Sequence, residues 1–358
     1  MARIAAPVRA FIVALLAVLF IFAIPALAQS PDAGSIRTDR SAEEIQRQKD
    51  QPGNNAPVWR EVRSGQEQTT SIPGRETNIL VQTEGQMWRA KRNGFWSIIS
   101  GWALVGLVGL LALAHWYFGP NYLHEPETGR KVLRFTPWQR GVHWSTAISF
   151  SVLAISGLIM LFGKNVLLPL IGYTLFSWLA VIAKNLHNFV GPLFLISILV
   201  LAVTFVRDNI PTASDMAWLT RLGGLIGKSK GEPPSGKFNA GEKLWFWGGA
   251  ITLGLIVGIT GLILDFPNFD QTRSTMQTSN IIHLISTTLL MLGGLGHIYL
   301  GTLSTPGAYE GMKTGLVDET WAKEHHRDWY NDIKSGKINA DPNKPAVGSR
   351  HPASGPAD

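Results

Sequence analysis

Five apolar stretches, at about 94–118, 142–163, 180–206, 244–264 and 279–303, each approach the roughly 20 residues an α-helix needs to cross a hydrocarbon layer. Lipid offers backbone amides no partners, so chains of this kind cross as helices packed against one another. The sequence therefore predicts an all-α membrane protein. Composition agrees: 46% of the 358 residues are hydrophobic, only 16% are charged, and Trp96, Trp116, Trp144, Trp178, Trp245 and Trp247 fall near span ends, as interfacial residues do. The formal charge of +7 comes from basic residues in short segments beside the spans. These act as orientation signals rather than as a nucleic-acid surface.

Ahead of the spans, residues 1–28 read as a secretory signal, with Arg3 and Arg9 before an apolar core and Ala26-Leu27-Ala28 at the cleavage position. An uncleaved anchor helix is the alternative, and either one sends the next segment outside the cytoplasm. Residues 29–92 are polar and aperiodic, a periplasmic segment expected to be disordered alone. An extra transmembrane helix follows at 93–119, then a membrane domain at 131–334, and 335–358 form a disordered cytoplasmic tail. The loops 119–141 and 207–243 hold most of the flanking Lys and Arg, which puts them and the C-terminus in the cytoplasm. Pro169 and Gly172 make the apolar segment 166–183 an interfacial or re-entrant piece rather than a further span.

The last span carries His283 and His297, 14 residues apart. Fourteen steps return a side chain to within roughly 40° of the same face, about 21 Å further along. Ionisable side chains inside a membrane span are costly and mark sites with partners on neighbouring helices. The topology assigns His143 to the inner depth of His297 and His187 to the outer depth of His283. Two facing imidazoles are what a six-coordinate b-type haem requires, because the porphyrin fills the other four iron positions. The chain has no cysteine, which excludes disulfides, iron–sulfur clusters and thioether-attached haem. Gly157, Gly191, Gly293, Gly294 and Gly296 lie where absent side chains leave room for a flat macrocycle; close helix packing explains single glycines equally well. His115 and His124 read as interfacial, and His325 and His326 as solvated or partner-facing.

Several pieces together resemble the cytochrome b (gamma) subunit of membrane-bound respiratory formate dehydrogenases: RFTPWQRGVHW around His143, LHNFVG around His187, VRDNIP at 206–211, GKFNAGEKLWFW at 236–247, IIHL around His283, GHIYLG around His297, and WAKEHHRDWY. The resemblance covers about 131–334. It implies a four-helix dihaem cytochrome b bundle, here with one additional N-terminal transmembrane helix. It implies two haems b, on His187 with His283 and on His143 with His297, and a quinone, menaquinone or ubiquinone, reduced near the inner one beside Asn239, Ala240, Gly241 and Glu242. Glu242 stands where the family pattern has glutamine. The resemblance also implies partners: a molybdenum or tungsten catalytic alpha subunit that oxidises formate, and an iron–sulfur beta subunit, at the bacterial inner membrane. Electrons would pass from formate to quinone, adding to the proton-motive force. The alternatives are the cytochrome b subunit of a nickel–iron hydrogenase or other periplasmic reductase, and a haem-free anchor or proton-coupled transporter.

Overall fold

The computed structural model describes residues 85–221, 223 and 232–341, with Trp59 and residues 63–64, 68–69 and 79–81. The expected signal at 1–28, most of the segment 29–92 and the tail beyond 341 lie outside the described residues. Within the polar segment, β1 (Gln68–Thr69) pairs antiparallel with β2 (Ile79–Val81). Helix then begins well before 93. α1 (Gly85–Ala90) runs through a π-helical stretch (Lys91–Trp96) into α2 (Ser97–Phe118).

The next helical run, α3 (Pro137–Phe205), is 69 residues long, and Thr136 starts it with a capping box to Gln139 and Pro137 in the first turn. It is two antiparallel arms. Trp138 donates to Thr204, Thr146 to the Ser197 carbonyl, Ser156 meets His187, and Phe176 lies against Gly163. The reversal falls on Gly172, at φ 76° and ψ 171°, a region essentially closed to residues with a Cβ. The expected interfacial piece at 166–183 is therefore absent as such. Its residues prolong both arms, because one glycine suffices to turn the chain.

A short α4 (Ala213–Thr220) precedes α5 (Ala240–Leu244), whose N-cap is Asn239. A π-helical stretch (Trp245–Leu253) leads on to α6 (Gly254–Asp265), and Thr272 caps α7 (Arg273–Tyr299). α6 packs on α3 and α7, and α2 lies along α7. Among the described residues, four helices are long and apolar enough to cross a membrane, at 87–118, 137–205, 240–265 and 273–304. Large apolar side chains such as Leu110, Ile148, Val203 and Ile259 cover their outer faces, as lipid contact requires.

One end of the bundle is capped. β3 (Lys131–Leu133) pairs antiparallel with β4 (Leu316–Asp318), which follows α8 (Ala308–Thr314) and leads into α9 (Glu319–His325) and α10 (Arg327–Lys334). Val317, Trp321, Ala322 and Trp329 form the cap's own core. Ala340 is buried and its carbonyl accepts from Leu133 at 2.9 Å, so the chain is ordered past the expected start of the tail at 335.

Candidate functional site

α3 and α7 bring the four histidines into two pairs. His187 and His283 face each other with ring centroids 6.3 Å apart, and His143 and His297 with centroids 6.1 Å apart, near the capped end. Two imidazoles bound to one metal from opposite sides, with bonds of about 2 Å, put their centroids about 6 Å apart. His187 thus faces His283, and His143 faces His297, at that separation. His143, His187 and His283 are half-buried and His297 is exposed. Between the levels, Phe194, Ile198, Val257 and Leu290 form an apolar layer with Phe150 against it. Leu290 lies midway between the two histidines of α7.

The two pairs are held differently. At the open end, His187 Nδ1 is 2.9 Å from Ser156 Oγ, and His283 Nδ1 is 3.1 Å from both Thr260 Oγ1 and the Val257 carbonyl. A carbonyl accepts only, so His283 carries its proton on Nδ1. This holds Nε2 as the free donor atom that a metal ligand needs. Gly157 and Gly261 let the rings lie this close, since a Cβ there would be 3.4 Å and 3.3 Å from His187 and His283. The sequence contains a signal for this cradle: Ile-Ser-Gly-Leu-Ile at 155–159 and Ile-Thr-Gly-Leu-Ile at 259–263 are one motif used twice. Ser156, Thr260 and Gly261 are functional candidates that the reading of histidines alone passes over. Between the rings opens a cavity of ≈ 450 Å³, lined also by Gly157 and Gly191.

At the capped end, Trp245 stacks on His297 at 5.6 Å and 17°, and His143 Nδ1 is buried with no hydrogen-bond partner among the described residues. Here the expected room beside Gly293 and Gly294 is filled. A Cβ at Gly293 or Gly249 would overlap the Trp245 ring, and Phe150 lies against Gly294; only Gly296 has open space. The wide π-helical turn that Trp245 opens carries the indole across the bundle.

Asn239 accepts from the Glu242 amide at 2.9 Å and Glu242 accepts from the Asn239 amide at 2.8 Å, so Asn239 is a helix cap through its Oδ1. Gly241 receives the Trp218 ring, and Ala240 is buried. Glu242 also pairs with Arg134 at 3.0 Å and lies within electrostatic reach of His297. Arg134 in turn donates to the Lys237 carbonyl at 3.0 Å and to His326 Nε2 at 2.9 Å.

Two of the remaining histidines, His325 and His326, correct the expectation of solvated rings. His326 is 1% exposed and donates from Nδ1 to the Gly236 carbonyl; burial, then the adjacent Arg134 charge, lower its pKa to about 3. His325 is buried beside Glu232 and is not solvated, and His115, expected to be interfacial, is buried against Tyr299. His124 is exposed and meets Glu324 at 3.1 Å. Trp321, one turn earlier in α9, packs against both His325 and His326 at centroid separations of 5.0 and 5.1 Å.

The prokaryotic cytochrome b561 family model matches residues 134–315, just over half of the chain. The matched unit is closed on itself, for the Arg134 amide donates to the Gly315 carbonyl at 2.8 Å. Among curated proteins, the chain is similar to the nitrate-inducible formate dehydrogenase cytochrome b556(Fdn) subunit of Escherichia coli K12. They are 28% identical over 207 residues, 55% of this chain and 89% of that protein. The E. coli K12 formate dehydrogenase cytochrome b556(fdo) subunit is 28% identical over 212 residues (57% and 93%), and the Haemophilus influenzae formate dehydrogenase cytochrome b556 subunit 27% over 230 (61% and 90%). The chain therefore belongs to the prokaryotic cytochrome b561 family, and with it to the membrane proteins that carry haem b.

Proposed function

We propose that this chain is the membrane cytochrome b subunit of a formate dehydrogenase, holding one haem b between His187 and His283 and a second between His143 and His297. The observation that carries the reading is the pair of ring separations, 6.3 and 6.1 Å, at two levels of one bundle. The names of the similar proteins supply the formate dehydrogenase part. Haem b supplies one-electron chemistry at each level when bound. Ser156 and Thr260 orient the open-end imidazoles, and the Phe150, Phe194 and Leu290 layer keeps water from the space between the levels.

The open end faces the periplasm of the bacterial inner membrane, where an iron–sulfur beta subunit delivers electrons released from formate on a molybdenum or tungsten alpha subunit. The capped end faces the cytoplasm. There a quinone head group, menaquinone or ubiquinone, takes a hydrogen bond from the Asn239 amide nitrogen, while the Glu242 carboxylate, beside His297 and Arg134, receives and passes protons.

Membranes containing the whole complex test this. Formate is expected to reduce the b-type absorbance, and added quinone to reoxidise it. Asn239→Ser keeps a capping oxygen and loses the amide donor, so reoxidation falls about tenfold, the worth of one hydrogen bond of about 1.4 kcal/mol. Reduction by hydrogen but not by formate would assign the chain to a hydrogenase, and unchanged reoxidation would leave Asn239 a cap alone.

A further inference from the structure

The helix formed by α1, α2 and the π-helical stretch between them precedes the segment matched by the family, 134–315. It is nevertheless fixed to α7. Trp88 Nε1 donates to the Gln277 carbonyl at 3.1 Å, Arg92 Nε to Asn280 Oδ1 at 3.2 Å, and Thr288 Oγ1 to Ser100 Oγ at 2.9 Å. The rungs advance together along both chains, so α2 runs parallel to α7. This register sets Arg92, Ser100 and Leu104 into the wall of the ≈ 450 Å³ cavity between His187 and His283.

Arg92 is the unusual member of that wall. It is half-buried at the start of the membrane helix, and its side-chain partners are the amide oxygens of Asn280 and Asn93. Neither neutralises it, and among the described residues no carboxylate pairs with it. A cation in a membrane helix is costly without a counter-charge. Lys184 and Asp265 line the same cavity, so the wall holds two cations and one carboxylate and keeps a net positive charge. The ligand read for this cavity, haem b, carries two carboxylates.

We propose that the added N-terminal helix completes the open-end haem site, with the Arg92 guanidinium binding a haem carboxylate. The inference rests on the two-haem reading. A guanidinium suits a carboxylate because its planar fork matches the two oxygens. Its positive charge also favours the reduced, more negative iron.

The test uses the intact complex solubilised from membranes, with haem content and a redox titration measured on the same samples. Arg92→Gln is expected to keep two haems per chain, to move the midpoint of one of them to lower potential, and to release that haem to apomyoglobin about tenfold faster. Arg92→Lys is expected to restore the potential in large part. Asn280→Ala, which removes the hydrogen bond and leaves the charge, is expected to keep both midpoints. Two unshifted midpoints in Arg92→Gln would overturn the proposal, even with lowered thermal stability, because a purely structural rung moves stability alone. Should Arg92→Gln not assemble, redox-difference infrared spectra of Arg92→Lys decide. A displaced haem-carboxylate band supports the proposal, and a band identical to wild type overturns it. A wild-type complex with no haem or one haem would instead remove the two-haem reading beneath it.

Discussion

Ser156 and Thr260 bear most directly on how the open-end histidines are set. Thr260 donates its own proton to the Ile256 carbonyl at 2.6 Å, which leaves its lone pairs toward His283 Nδ1, and His283 has the Val257 carbonyl as a second acceptor. His187 leans on Ser156 at 2.9 Å. Orienting partners of metal-bound histidines are worth about 10–100-fold in affinity. Ser156→Ala is therefore expected to speed haem loss to apomyoglobin about tenfold or more, with Thr260→Val milder because the Val257 carbonyl remains. Equal retention in Ser156→Ala and wild type would contradict the role given to Ser156.

Among the elements, the α3 hairpin and the cap are where sequence and structure part. The apolar length of both arms is legible from 142–163 and 180–206, and the 14-residue spacing of His283 and His297 fixes their common face, because both depend only on helical period. That Gly172 alone reverses the chain is not legible, since Pro169 and Gly172 serve a re-entrant loop as well as a turn. Gly172→Ala forces a Cβ into φ 76° and is expected to cost about 1–3 kcal/mol in a detergent unfolding experiment; an unchanged transition would show that the hairpin turns elsewhere. The cap is illegible for another reason. Its sequence is charged, yet Trp321 and Trp329 are 3% exposed, because Arg134 lies over the Trp321 ring and Leu123, Val132 and Ala308, from elements far off in sequence, pack against the cluster that holds both. Its acid sensitivity follows. His326 titrates at about 3 when folded and near 6.5 when unfolded, so its contribution is whole above 6.5 and is lost as pH falls, at about 1.4 kcal/mol per unit. Burial pushes Asp318 up, but the Thr320, Thr128 and Gly129 amides and Lys131 outweigh it and hold the carboxylate below its usual range, adding a second loss below about pH 4. The hydrogen-exchange protection factors of the cap amides, taken relative to the intrinsic rate at each pH, should fall about tenfold per unit from pH 6.5 downward, and His326→Gln should flatten the upper part of that slope. A flat profile down to pH 4 in the wild type would contradict the neutral, buried His326.

At the scale of the whole molecule, the fold is a frame that sets two histidine pairs at two depths with an apolar layer between. A bundle with only the open-end pair would have no need to keep His143 and His297 facing at the capped end. The central claim is that each pair holds its own haem. Haem counted per chain in the purified protein, in wild type and in His283→Ala and His143→Ala, tests it most directly. Two haems in the wild type and one in each variant, with the lost midpoint potential differing between the variants, is the predicted result. A wild type with a single haem, or the same midpoint lost in both variants, would contradict it.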